Sequence, residues 1–285
     1  MIYVQVLIDG LIVGLLFALV AMGLSLIYGV MDIVNFAHGE FMMLAMYLVF
    51  FLWALFGIDP VFGTPIACAA MFGFGVYIYR VLGRHLVGAN LISQIFATFG
   101  LMIFLQAAAN FLWKANVRTV GDSIVSGYFS FAGLFFTLPE IVAAAGALLT
   151  ALALFWIVNR TETGMALQAT AEDVQVAQLM GINTDRMFAL AWGLSAGAVA
   201  IGGGLLATYF SIYPLVGARW VLPAFVAVAI GGFGSITGAF WGGMIIGVVQ
   251  VYSGFLTEPS YKNVFVYVLF LLVVLIRPHG LMGRK

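Results

Sequence analysis

The chain has 285 residues, 64% hydrophobic and 8% charged, with a mean hydropathy of +1.15; soluble domains carry about 25% charged residues, so an ordinary soluble fold is excluded. Lysine plus arginine balance aspartate plus glutamate, and a net charge of zero argues against a nucleic-acid partner. The single cysteine, Cys68, sits in an apolar run, which leaves no disulfide framework and no thiolate metal site.

The N-terminal stretch MIYVQVLIDG has no basic segment and runs straight into a long apolar span, so it reads as a retained membrane helix rather than a cleaved signal peptide. Because a helix needs about 20 apolar residues to cross a bilayer, the spans can be placed in order. They run from Val6 to Tyr28, Phe41 to Phe56, Val61 to Leu82, Leu91 to Trp113 and Pro139 to Val158. After a polar loop come Met187 to Ile212, Trp220 to Gly232, Ile236 to Phe255 and Val264 to Ile276. The expected fold is all-α: a polytopic helical membrane protein with about eight or nine crossings and one or two broken or re-entrant segments. Residues 1–285 read as a single membrane-spanning domain.

Basic residues set the orientation. Arg80, Arg84, Arg160, Arg186, Arg277, Arg284 and Lys285 fall on one side, against Lys114, Arg118, Arg219 and Lys262 on the other. The richer side is cytoplasmic, which puts the polar loop inside and the segment from Lys114 to Leu138 outside. Simple alternation leaves the N-terminus outside, whereas a re-entrant segment near Asn35 reverses it.

Between the first two spans lies MDIVNFAHGEF, with Asp32, Asn35, His38 and Glu40 in too little chain for a real loop. Ionisable groups in hydrocarbon cost several kcal/mol unless paired or wet, so they tend to line a pathway. Gly29 and Gly39 flank the stretch and would let the helix break, as transporters do near the midplane. The plainer alternative is a short cytoplasmic turn with its charges in water. His38 has no second histidine at metal-ligand spacing.

The one long polar segment, Asn159 to Arg186, holds Arg160, Glu162, Glu172, Asp173, Asp185 and Arg186. Thr163 and Gly164 can open a helix there and Gly181 can end it. Met165, Ala169, Val176 and Met180 share one helical face, with Leu167 and Val174 nearly opposite. A short helix with apolar side chains on both faces inside a charged loop fits a groove in a partner.

The stretch AIGGFGSITGAFWGGMIIG repeats small residues at four-residue steps, through Gly234, Gly238 and Gly242 and through Gly243 and Gly247. That spacing lets helix backbones approach closely in lipid. No lysine follows Gly231, Gly232 and Gly234 at phosphate-loop spacing, so nucleotide binding is not expected of this chain. Gly193-Leu194-Ser195-Ala196-Gly197 matches a serine-nucleophile pattern but lacks the strand-to-helix turn. An intramembrane protease would need a histidine on another helix; only His38, His85 and His279 exist, the last two on the cytoplasmic side. Ser195 reads more simply as a small residue on a packing face, and no catalytic residue and no metal site are expected.

Three stretches carry a family resemblance over essentially the whole chain: GLSLIYGVMDIVNFAHGEFMMLAMY, TETGMALQATAEDVQVAQLMGIN and AIGGFGSITGAFWGG. The chain resembles the smaller inner-membrane permease subunit of branched-chain amino acid (leucine/isoleucine/valine) ABC importers. The resemblance implies alternating access in a bacterial inner membrane, driven by two separate cytoplasmic ATPase subunits that bind the ATP; no cofactor is held by the permease itself. It implies a second permease subunit and a periplasmic substrate-binding protein as further partners. Residues 159–187 would be the ATPase-coupling loop, with Glu162, Gly164, Ala169, Glu172, Asp173, Met180 and Gly181 as coupling residues, and Asn35, His38, Gly39 and Glu40 would line the substrate path. One departure stands out: the family commonly carries arginine where this chain has Gln168, which puts a basic contact to the ATPase in doubt there. Relatives for urea or short amides are the alternative in substrate, and an ion-coupled secondary transporter is the alternative in mechanism.

Overall fold

The computed structural model describes residues 1–131, 133–278 and 280–283, with the backbone alone at Phe131. His279, Arg284 and Lys285 therefore lie outside the described residues. The helices are α1 (Ile2–Met31), α2 (His38–Phe56), α3 (Pro60–Ile78), α4 (Arg84–Leu86), α5 (Leu91–Trp113), α6 (Leu138–Arg160), α7 (Glu162–Glu172), α8 (Val174–Leu179), α9 (Thr184–Leu206), α10 (Val216–Gly231), α11 (Ile236–Leu256) and α12 (Lys262–Ile276). A π-helical turn, Tyr79–Gly83, joins α3 to α4, so that Pro60–Leu86 forms one span. Among the described residues eight helices are long and apolar enough to cross a membrane, and α10 is a shorter apolar ninth. The chain is a multi-pass helical membrane protein. Its described strands are one hairpin, β1 (Tyr128–Phe131) and β2 (Leu134–Thr137), in the segment before α6.

Small residues hold the centre together. On α1, a side chain at Gly10 or Gly14 would strike the backbone of Val248 or Met244, and one at Gly243 or Gly247 of α11 would strike Ala18 or Gly14. Small residues four apart on both helices thus bring two backbones into contact, which is how helices gain packing energy without a hydrophobic driving force in lipid. The pair α3 and α9 is built the same way: Gly75 lies on the Trp192 carbonyl, and Gly193 on the rings and methyls of Phe72 and Val76. The Gly231–Gly234 break is a tight turn in which Gly232 and Gly234 both have positive φ (104° and 80°), and it folds α10 onto α11. Gly231 meets Gly238 and Ala227 meets Gly242 across that hairpin.

Side-chain and backbone hydrogen bonds sort the two ends of the bundle. At one end Gln5 bonds the backbone of Phe135, Trp53 bonds Asp122, Asp59 bonds Ile124, and Arg118 pairs with Ile212. At the other, the Tyr79 hydroxyl donates to Asp185 Oδ1 at 2.7 Å, and the N–H groups of Leu281 and Met282 donate to Ile230 and Gly231. The start of α1 therefore shares an end with residues 114–137.

Candidate functional site

The chain between α1 and α2 is broken as expected, but not at the glycines. α1 ends where Asp32 adopts a left-handed conformation (φ 55°, ψ 30°), which a short polar side chain tolerates better than most. The Asn35 carboxamide oxygen then accepts the Ala37 N–H at 3.0 Å, a side-chain turn that starts α2. Gly29 and Gly39 are instead points of close approach, Gly29 against Gly234 and Gly39 against the Gly217 carbonyl at the start of α10.

The break is inside the bundle. Thr98 Oγ1 donates to the Val34 carbonyl at 3.0 Å, and Gln106 Nε2 donates to Glu40 Oε1 at 2.8 Å. At about 1.5 Å per residue these partners lie about 10 Å and 22 Å along α5, a helix about 34 Å long. Residues 33–37 thus run unhelical at membrane depth, which is tolerated only where protein satisfies the backbone. Of the charged and polar residues here, Asp32 alone is exposed, while Asn35, His38 and Glu40 are buried. The short solvent-facing turn is therefore set aside.

These side chains do not converge on one point. Asn35 lines a small recess with Tyr28, Phe225, Val228 and Phe233. The His38 ring fills the space that Gly23 leaves and stands edge-on to Phe41. Glu40 turns the other way, to Gln106. Among the described residues Asn35 Nδ2 and Glu40 Oε2 have no hydrogen-bond partner, while the His38 ring, whose Nε2 makes no standard hydrogen bond, lies beside the Val20 backbone. Buried polar atoms are rarely left so. Gln106 and Thr98 escaped the sequence reading because each lies more than sixty residues away, on an otherwise ordinary apolar helix.

The structure also brings Ser195 close to His38, with Oγ 3.5 Å from Nδ1. That Oγ donates to the Gly23 carbonyl at 2.7 Å, and both residues are fully buried. Ser195 is a bond between α1 and α9.

The polar segment is two helices where one was expected from Thr163 and Gly164 to Gly181. Thr161, not Thr163, caps α7: its Oγ1 accepts the Gly164 N–H at 3.0 Å and donates to the Ile157 carbonyl at 2.6 Å. Gly164 is buried against the Ile157 and Val158 carbonyls, where any side chain would collide, so α7 lies directly on the last turn of α6. Gln168 Nε2 donates to the Val158 carbonyl at 2.9 Å, one of the free carbonyls at the α6 C-terminus. Gln168 thus points back at α6.

Asp173 makes the corner between α7 and α8. Its Oδ1 accepts the N–H groups of Gln175 and Val176 at 2.8 and 2.9 Å, a helix N-cap. Glu162 is exposed in the first turn of α7, where a negative charge suits the helix dipole, and Glu172 is exposed in its last. Gly181 follows α8 with φ 84°, the left-handed position that commonly ends a helix. Leu167 and Ala177 are buried against the bundle and Ala169 is half-buried, while Met165, Val176, Leu179 and Met180 stand 58%, 54%, 86% and 78% exposed. The two apolar faces are therefore divided, one inward and one outward. Leu179 was missed because the single-helix reading left it off the chosen face.

A family model described as the branched-chain amino acid transport system permease component matches residues 6–274. Permease protein BraD of a high-affinity branched-chain amino acid transport system in Pseudomonas aeruginosa is 32% identical, covering 99% of this chain and 96% of its own. Permease protein LivH of Escherichia coli, from a system of the same description, is 31% identical with the same coverage. The fructose import permease FrcC of Rhizobium meliloti is 28% identical over 75% of this chain and 63% of its own. Among solved structures, PsaBC from Streptococcus pneumoniae in complex with Fab aligns over 95% of this chain and 91% of that one, at a TM-score of 0.43 and 15% identity.

Proposed function

The chain belongs to the branched-chain amino acid transport system permease family, and we propose that it is the smaller translocation subunit of an ATP-driven importer in a bacterial inner membrane. The whole chain acts as one permease domain, with residues 159–187 as its coupling loop. It is a translocation subunit rather than an enzyme. ATP is bound and hydrolysed by two separate cytoplasmic ATPase subunits, a second permease subunit completes the pore, and a periplasmic binding protein delivers a branched-chain amino acid to the end that carries residues 114–137.

One observation carries this reading. Met165, Val176, Leu179 and Met180 project from the end of the bundle on an element fixed to α6 by Gly164, Leu167 and Gln168. An exposed apolar ridge on a rigid mount can transmit a push. The mount has Glu162, Gly164, Ala169, Glu172, Asp173 and Gly181 as its frame, and Met180 at its tip.

The substrate path runs by the break, with Asn35, His38, Gly39 and Glu40 beside it and Gln106 across from Glu40. It borders α5, which buries only Gln94, Thr98, Leu105 and Ala109 within this chain and so offers most of its surface to the second permease. A path that opens alternately must move, and unpartnered polar atoms at the break are the groups whose contacts can differ between two states.

The test is uptake of labelled L-leucine into proteoliposomes holding the complex purified through this chain. Uptake that requires internal ATP and the binding protein supports the reading. Uptake driven by an ion gradient without ATP overturns it.

A further inference from the structure

A second polar feature lies far from the break, at the end shared by residues 114–137. A cavity of about 720 Å³ opens among α1, α6, α10, α11 and α12. Its lining includes two carboxylates, Asp9 and Glu140, and two cations, Arg219 and Lys262. Like charges are neighbours here: Glu140 acts electrostatically on Asp9, and Arg219 on Lys262. Among the described residues none of the four makes an ion pair; Asp9 accepts from Gln5, at 2.8 Å, and Arg219 lies over the Phe210 ring at 4.9 Å. Opposite charges around one cavity normally pair with one another in a medium of low dielectric. These are held apart.

The cavity also has an apolar floor. Phe17 and Trp220 lie with ring centroids 5.2 Å apart, and Phe17 is about 22 Å along α1 from its start. The two amides in the lining, Gln250 and Asn263, bond each other at 2.7 Å rather than bridging the charges. Glu140 in the first turn of α6 also suits that helix's dipole, but this accounts for neither Asp9 nor the two cations.

We propose that this cavity binds a zwitterion that carries an apolar part. The ammonium faces Asp9 and Glu140, the anionic group faces Arg219 and Lys262, and the apolar part rests on Phe17 and Trp220. The site lies wholly within this chain, is distinct from the break at residues 32–37, and does not depend on the transport reading. The same chemistry is offered by a free aliphatic amino acid and by the headgroup of phosphatidylethanolamine.

The experiment uses the full chain in nanodiscs of phosphatidylglycerol. In one arm, binding of labelled L-leucine is competed by L-leucinol, which lacks the carboxylate, and by isocaproate, which lacks the ammonium. In the other, phosphatidylethanolamine is added and its retention relative to phosphatidylglycerol is read by native mass spectrometry. Saturable binding of either probe is expected, weakened about tenfold or more by Glu140→Gln with Arg219→Gln, since each change removes a charge-assisted contact. The arm that responds identifies the source. For leucine both analogues must compete about tenfold or more less well, a result that needs no variant and so survives if the variant misfolds; for lipid, phosphatidylethanolamine must be retained in preference to phosphatidylglycerol. Binding of neither probe, equal competition by the analogues together with no preference between the lipids, or unchanged binding by the folded variant overturns the proposal.

Discussion

Gln106 Nε2 donates to Glu40 Oε1 at 2.8 Å, tying α5 to the first turn of a helix that begins inside the bundle. Among the described residues the other carboxylate oxygen, Oε2, has no partner, so Gln106 carries the whole polar satisfaction of this buried acid. Gln106→Leu therefore leaves Glu40 stranded at a cost of about 1–3 kcal/mol. A lower melting temperature in detergent is expected. Glu40→Gln keeps the bond, so it should melt near wild type while slowing uptake. Equal uptake by Glu40→Gln would remove this residue from the path.

The contact of α1 with α11 predicts a sharp contrast among glycines. Gly247→Leu has no room against Gly14 and Gly10 and should destabilise by about 3 kcal/mol or more. Gly73→Ala and Gly100→Ala, where an added carbon meets nothing within 4 Å, should be neutral or stabilising by up to about 1 kcal/mol. Melting of the three variants side by side checks this.

These two regions also mark what the sequence could reveal. Gly243 and Gly247 stand out by four-residue spacing in a glycine-rich run; their partners Gly10, Gly14 and Ala18 share that spacing but are masked in α1, a long span of almost uniformly apolar residues with no distinct face. The break is legible because Asp32, Asn35, His38 and Glu40 are polar in an oily run. Its depth is not, since it is set by Thr98 and Gln106 from a distant helix. The corner at Asp173 was hidden for a different reason: a residue that caps one helix while ending another looks, in sequence, like one more charge in a charged loop.

That corner separates charge from geometry. Asp173→Asn keeps an N-cap acceptor and should preserve stimulation of ATP hydrolysis in the reconstituted complex. Asp173→Ala loses about 1 kcal/mol of local helix stability and should raise hydrogen exchange in α8 while lowering stimulation. If Asp173→Asn is as damaging as the alanine, the carboxylate charge itself is what the partner reads.

Ser195→Ala removes the bond to the Gly23 carbonyl and should cost about 1 kcal/mol of stability with ATP-driven uptake retained. Any proteolytic activity of the purified chain that disappears with this change would restore the nucleophile reading.

The central claim is that the exposed ridge on α7 and α8 docks an ATPase, and the most direct measurement is affinity purification from solubilised membranes, with the co-purifying chains identified. Wild type and a variant with Leu179→Asp and Met180→Asp are compared; both side chains are largely exposed, so the variant should fold. The account predicts that wild type brings down ATPase subunits and a second permease, and that the variant keeps the permease but loses the ATPases. Recovery of the wild-type chain alone, or of undiminished ATPase with the variant, would contradict it.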